Sequence, residues 1–240
     1  MNTALIFAGG TGKRMGTAGR PKQFLELHGK PIIIHTLEHF DRHPQIDAIC
    51  VVCIESWIGY LQDQLDRFRI RKVRWIVPGG ATSQDSTRAG LNAIAADCPP
   101  DDTIVLIHDG VRPLITEQLI TDNITAVKKY GNAITTAPAI ETIITVDSQE
   151  TVTGLIDRQT CRLARAPQSF RLADILQMHQ RSIDDGYDQM IDSASLMIHY
   201  GTRLHLVAGP AENIKITTPS DFYIFKAIQE ARENMQILGL

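Results

Sequence analysis

The chain has 240 residues, carries a formal net charge of −3 and is 43% hydrophobic by composition. Such a length fits one large α/β domain with a sizeable core. Near-neutral charge excludes a molecule-wide basic field for nucleic acid, and no apolar run approaches the roughly 20 residues of a membrane helix.

The first apolar run, residues 4–8, reads as a buried strand. It empties into a loop where Gly9, Gly10, Gly12 and Gly16 are punctuated by Lys13, Arg14, Arg20 and Lys22. Glycines let backbone N–H groups come close to one anion, and the cations neutralise it. Together they point to a polyphosphate at the carboxyl end of a first strand. A helical pattern follows at 31–42, then a strand at 48–54 that contains Cys50 and Cys53. Residues three apart on a strand face opposite sides, so this C-x-x-C reads as apolar filling and not as a metal or redox pair. With no signal-peptide pattern at the N-terminus, the expected compartment is the reducing cytoplasm.

The alternation continues with helices at 57–68, 86–96 and 117–129 and strands at 73–77, 103–107 and 133–137. Continuous apolar strands between helices predict a mostly parallel sheet covered on both faces, a three-layer Rossmann-like α/β fold. After Pro138 the pattern changes. Residues 141–146 and 151–157 are β-rich around the turn-like Asp147-Ser148-Gln149-Glu150, so a β-hairpin arm is expected at about 139–160. A lone hairpin is marginally stable in water and should pack on a partner. Helices at 172–184 and 193–200, strands at 204–207 and 214–217, and a closing helix complete the chain. Thr218, Pro219 and Asp221 supply that last helix with a capping hydroxyl, a first-turn proline and an acid at its positive end.

Three phosphate-loop templates compete for the opening segment. A Walker A loop fails because Arg14 follows Gly12-Lys13. The dinucleotide fingerprint fails because Met15 stands where its third glycine belongs, which argues against an NAD-dependent oxidoreductase. The nucleotidyltransferase signature G-G-x-G-x-R-M followed by P-K is met at Gly9, Gly10, Gly12, Arg14, Met15, Pro21 and Lys22.

Later segments agree with that third template: Gly29-Lys30-Pro31-Ile32, Gly79-Gly80 before Asp85-Ser86, and His108-Asp109-Gly110-Val111-Arg112-Pro113. So do Asp157-Arg158, Ala166-Pro167-Gln168-Ser169-Phe170 and the run from Asn213 to Asp221. Through these motifs the chain resembles the cytidylyltransferases that act on alditol phosphates, from residue 3 to about residue 230. The group includes the 2-C-methyl-D-erythritol 4-phosphate enzyme of isoprenoid synthesis and the ribitol 5-phosphate enzyme of teichoic acid and capsule synthesis. Phe24, Trp57 and Val111 look more like the ribitol 5-phosphate branch.

The resemblance implies attack by an alditol phosphate oxygen on the α-phosphorus of CTP, with release of pyrophosphate. A phosphate monoester is already a nucleophile at pH 7, so the protein must mainly hold two anions in line and stabilise charge. Arg14, Lys22 and Lys215 are the expected catalytic cations. Ala8, Gly9, Gly10, Thr11, Gly12, Gly80, Ser86 and Asp109 are expected to hold the nucleotide, with cytosine chosen near Ala8, Gly9, Gly80 and Ser86. Asp109 is also the expected Mg²⁺ ligand, although local sequence alone permits a turn-forming Asp before Gly110. Arg112, Thr142 and Arg158 make the expected acceptor set. In the family the arm embraces a second subunit, so the resemblance implies a homodimer with composite sites.

Three positions leave the family pattern. Ser83 stands where an arginine is usual, Ala166 replaces the threonine of Thr-Pro-Gln, and Ile191 replaces the threonine of Thr-Asp. Arg20 or Arg88 could supply the missing charge, and the two lost hydroxyls are expected on the acceptor side. These changes feed a rival reading, a non-catalytic nucleotide-binding relative. The intact set Arg14, Lys22, Asp109, Arg158 and Lys215 argues for turnover.

Overall fold

The computed structural model describes residues 1–10, 19–187 and 190–238, with side chains through residue 234. The strands in chain order are β1 (Asn2–Ala8), β2 (Glu26–Leu27), β3 (Lys30–Pro31), β4 (Ala48–Cys53), β5 (Val73–Pro78) and β6 (Ile104–Asp109). They continue as β7 (Asn132–Pro138), β8 (Ile143–Val146), β9 (Val152–Ile156), β10 (Arg162–Arg171) and β11 (Leu206–Ala208). The helices are α1 (Ile32–Arg42), α2 (Ile58–Arg67), α3 (Ser83–Asp97), α4 (Glu117–Tyr130), α5 (Leu172–Asp184), α6 (Ser193–His199) and α7 (Pro219–Leu238).

Seven strands form one sheet in the order β11-β7-β10-β6-β1-β4-β5. The β6-β1-β4-β5 block and the β11–β7 pair are parallel, while β10 runs antiparallel between β6 and β7. Every residue of β4 is buried, as its continuous apolar run requires of a strand covered on both faces. One face packs Ile33, Ile34, Leu37 and Phe40 of α1, Leu61 of α2 and Ile120, Ile124 and Val127 of α4 on Ala4, Ile6 and Val51. The other packs Leu91 and Ile94 of α3, Leu172 and Ile175 of α5 and Leu196 of α6 on Leu5, Val52 and Val105. Cys53 belongs to the first layer and Cys50 to the second, and burial pushes their thiols up to about 11 and about 12. Both are inert packing groups, as strand geometry requires.

Strands β8 and β9 form a separate two-stranded hairpin, the expected arm. It leaves much apolar surface open: Ile140 is 72% and Leu155 74% exposed, with Val146 and Val152 more than half exposed. Two segments differ in kind from the sequence expectation. Residues 162–171, read only as a motif, form the antiparallel strand β10, whose outer residues carry too many charges to look like a strand. Residues 214–217 form no strand. That segment lies over the turn after β6, held by a single backbone bond from Ile216 N to the Val111 carbonyl, and buries Ile216 beside Leu114 and Phe225.

Candidate active site

Parallel pairing brings the ends of β1 and β6 level, with Phe7 opposite Asp109. The turn after β6 presses on β1: Gly110 N donates to the Phe7 carbonyl at 2.8 Å, and a Cβ there would stand 2.6 Å from that oxygen. Only glycine permits the approach that carries Asp109 to the sheet edge. At this edge opens a cleft of about 610 Å³, within the ~300–1,000 Å³ of small-molecule sites. Phe7, Ala8, Gly9 and Gly10 line its floor, and Lys22 and Gln23 one flank. Residues 80–83 and Ser86 line another side, and Asp109, Val111, Lys215 and Thr217 complete it. Among the described residues no atom lies within 4 Å of where a Cβ would sit on Gly9 or Gly10.

Helix α3 aims its N-terminus into the cleft and starts three residues before the expected position. Thr82 is the reason. Its Oγ1 accepts from Asp85 N at 3.0 Å, and Asp85 Oδ2 accepts from Thr82 N at 3.2 Å, a capping box. Ser86 Oγ then accepts from Gly80 N and donates to the Thr82 carbonyl, so its first task is to shape this loop. A Cβ on Gly80 would stand 2.3 Å from the Asp85 side chain, which leaves glycine as the residue that fits.

Asp109 is clamped from two sides. Lys215 Nζ lies 2.6 Å from Oδ1 and Arg112 Nε 2.8 Å from Oδ2. Burial alone would raise this carboxyl; the two cations outweigh it and hold it well below the usual carboxylate range. Lys22 Nζ donates to the Ile216 carbonyl at 2.9 Å, which brings the opening segment beside the segment that carries Lys215. Under the clamp, His108 is buried, stays neutral with a pKa lowered to about 3, and has Nε2 3.2 Å from the Arg112 carbonyl. Gln23 donates from its amide to the Ala8 carbonyl and so fixes the strand end; sequence reading assigned it no role.

Of the residues expected from sequence, Ala8, Gly9, Gly10, Lys22, Gly80, Ser86, Asp109 and Lys215 meet at the cleft. Thr11, Gly12 and Arg14 lie outside the described residues. Arg112 sits against Asp109 without lining the cleft, and Lys215 rides on the irregular segment, not on a strand end. Thr142 and Arg158 are not brought to this cleft. They stand exposed on the arm, where Arg158 Nη1 donates to the Ile140 carbonyl at 2.8 Å.

The profile of the 2-C-methyl-D-erythritol 4-phosphate cytidylyltransferase family matches residues 2–231. The chain belongs to this cytidylyltransferase family. It is 53% identical over 239 residues to ribitol-5-phosphate cytidylyltransferase of Vibrio parahaemolyticus, with all of both chains covered. It is 50% identical to the protein of the same name from Streptococcus agalactiae, again over the full length of both. Its structure resembles the crystal structure of 4-diphosphocytidyl-2C-methyl-D-erythritol synthase from Anaerococcus prevotii, with a TM-score of 0.82 and 26% identity over 95% of this chain and 96% of that one.

In this cytidylyltransferase the three departures fall in different surroundings. Ser83 lines the cleft at the first turn of α3, where the helix end offers N–H groups and a partial positive charge in place of an arginine. Arg20 is paired with Glu26 and Arg88 with Asp85, each at 2.6 Å, and among the described residues neither is part of the cleft lining. Ala166 is buried, and Ile191, 88% exposed, lines a separate small pocket, so neither lost hydroxyl belongs to the cleft lining. Phe24 and Trp57 stack on each other at 4.9 Å and support the 22–25 turn from below.

Proposed function

We propose that the enzyme transfers a cytidylyl group from CTP to an alditol phosphate, with ribitol 5-phosphate as the acceptor, giving the CDP-alditol and pyrophosphate. The observation that carries this reading is the convergence of Lys22, Lys215 and Asp109 on a glycine-floored cleft. Two lysines and a helix N-terminus suit a triphosphate, and full-length identity to proteins named for ribitol 5-phosphate favours that acceptor over methylerythritol phosphate. Lys22 and Lys215 would stabilise charge on the α-phosphoryl oxygens, and Gly9 and Gly10, with the folded 80–86 loop, would receive the nucleotide. Arg14 would add a cation from the same opening loop.

The donor set fits a metal that is shared with phosphate. Asp109 is an ionised, partly exposed carboxylate at the cleft edge, and no group of three or more His, Cys, Asp or Glu side chains converges among the described residues. Such a single carboxylate suits Mg²⁺, which takes its other ligands from phosphates and water and neutralises developing charge when bound. Asp109 would hold it, with Lys215 turning its ammonium toward the phosphates. The apolar exposure of the arm supports a homodimer in which Thr142 and Arg158 reach the partner's acceptor. CTP as substrate fits a cytoplasmic location.

The test is pyrophosphate release with CTP, Mg²⁺ and a panel of pentitol and tetritol phosphates. Release with ribitol 5-phosphate above all others is expected. Faster turnover of 2-C-methyl-D-erythritol 4-phosphate would move the enzyme to the other branch. Tight CTP binding with no release for any acceptor would leave a nucleotide-binding relative.

A further inference from the structure

Strand β10 leaves its ladder beside the site. Ala164 pairs with Thr136 and Gln168 with Ile134, so four steps along β10 match two along β7. The surplus residues bend the strand, and bends of this kind re-aim side chains near functional sites. Arg165 sits in that bend. Its Nη1 donates to the Asn213 carbonyl at 2.7 Å, the oxygen that also takes Arg112 Nη1 at 2.9 Å. Asn213 is fully buried and its amide donates to the Ala166 carbonyl at 2.8 Å, so the shared acceptor is fixed in place.

Arg112 and Lys215 both pair with Asp109, while Arg165 joins Arg112 on the Asn213 carbonyl, with Glu212 as the carboxylate that acts on it from beyond ion-pair distance. Among the described residues no carboxylate lies within ion-pair distance of Arg165. Burial, and then the neighbouring Arg112, hold its guanidinium below the ordinary range. Two part-desolvated guanidiniums on one carbonyl repel each other, and an anion bridging them relieves the repulsion. Neither arginine lines the nucleotide cleft; Arg112 lies against Asp109, and Arg165 is on β10, the strand that follows the arm in the chain.

We propose that Arg165 is a further residue of the acceptor site, which grips the monoester phosphate of the alditol phosphate together with Arg112. The assignment rests on the cytidylyltransferase reading above. A planar guanidinium offers a fork for two phosphate oxygens, and a pair of forks held by one buried carbonyl is already positioned for them.

Steady-state kinetics of the full-length enzyme test it. Arg165→Leu should raise KM for ribitol 5-phosphate roughly 10–100-fold, with KM for CTP within about twofold, and Arg165→Lys should recover part of the loss. An unmoved acceptor KM, or a parallel rise in both KM values, overturns the assignment. A second readout needs no turnover: inorganic phosphate titrated into the CTP-saturated enzyme should raise Tm in the wild type and not in Arg165→Leu. Equal gains in both proteins overturn it. Unchanged CTP affinity by calorimetry reports that the variant is folded, and Arg165→Gln replaces it if it is not. Absence of pyrophosphate release by the wild type would sink the functional reading alone, because the phosphate titration still decides whether Arg165 binds phosphate.

Discussion

At the nucleotide end of the cleft, near neighbours in the chain do the work. Gly9 and Gly10 directly follow β1, and residues 80–86 fold on themselves through the Thr82–Asp85 box and the Ser86 hydroxyl. On the proposed acceptor side the groups come from distant parts of the chain. Asp109 ends β6 and Arg112 follows it, Arg165 sits in the bend of β10, and Asn213 and Lys215 ride on a segment without regular structure. The first end rests on a sheet packed on both faces, whereas the arm beyond the second leaves large apolar side chains in water. In the function proposed above, nucleotide binding therefore rests on local motifs, and acceptor choice on assembly.

The largest expected effect strikes where the two ends meet. Lys22→Ala should lower kcat roughly 10²–10³-fold, the usual result of removing one preorganised donor from a developing charge, with circular dichroism unchanged. Near-normal turnover would remove Lys22 from the chemistry. Next comes the arm: Leu155→Glu puts charge on a 74% exposed apolar position and should yield a monomer in sedimentation, with acceptor use down at least about tenfold and CTP affinity kept. A monomeric wild type would contradict the composite site.

Gly80→Ala makes the complementary cut. Its Cβ would meet the Asp85 side chain at 2.3 Å, so the 80–86 loop must shift, at a cost of about 1–3 kcal/mol. CTP affinity should fall about tenfold while ribitol 5-phosphate KM stays near its original value; the opposite pattern would exchange the two ends. The last effect, read on stability and not on turnover, is acid sensitivity of the body. Burial lowers the pKa of His35 and His179 to about 4 and of His108 to about 3. Because the folded pKa values lie below the unfolded value of about 6.5, the unfolded chain binds more protons in between. Stability is thus full above pH 6.5 and is lost as pH falls toward 4, at up to roughly 1.4 kcal/mol per unit and group. The arm, residues 139–160, contains no histidine. A Tm that is flat above pH 7 and falls below 6.5 is expected; a Tm constant down to pH 4.5 would mean these histidines charge without cost.

Sequence made much of this readable because many of its signals are local. Continuous apolar runs mark strands buried on both faces, glycines with cations mark a phosphate loop, and Thr218, Pro219 and Asp221 mark a helix start that Asp221 does cap, accepting from Thr217 and Thr218 N at 2.8 Å. The Thr82-x-x-Asp85 box was equally legible and would have placed the start of α3, and with it Ser83, on the cleft. Strand β10 was hidden because its outer half is exposed and charged, so it shows no apolar period.

The order of strands, and hence which loops meet, carries no periodic signal at all. Residue types and local backbone needs settled the glycine floor, Lys22, Asp109 and the alternating α/β plan. Only tertiary structure decided that Lys215 and Arg112 share Asp109, that Arg165 shares a carbonyl with Arg112, and that Thr142 and Arg158 stand away from their own cleft. Those pairings depend on crossovers that bring residues from distant turns to one sheet edge, where unlike charges and buried carbonyls hold them.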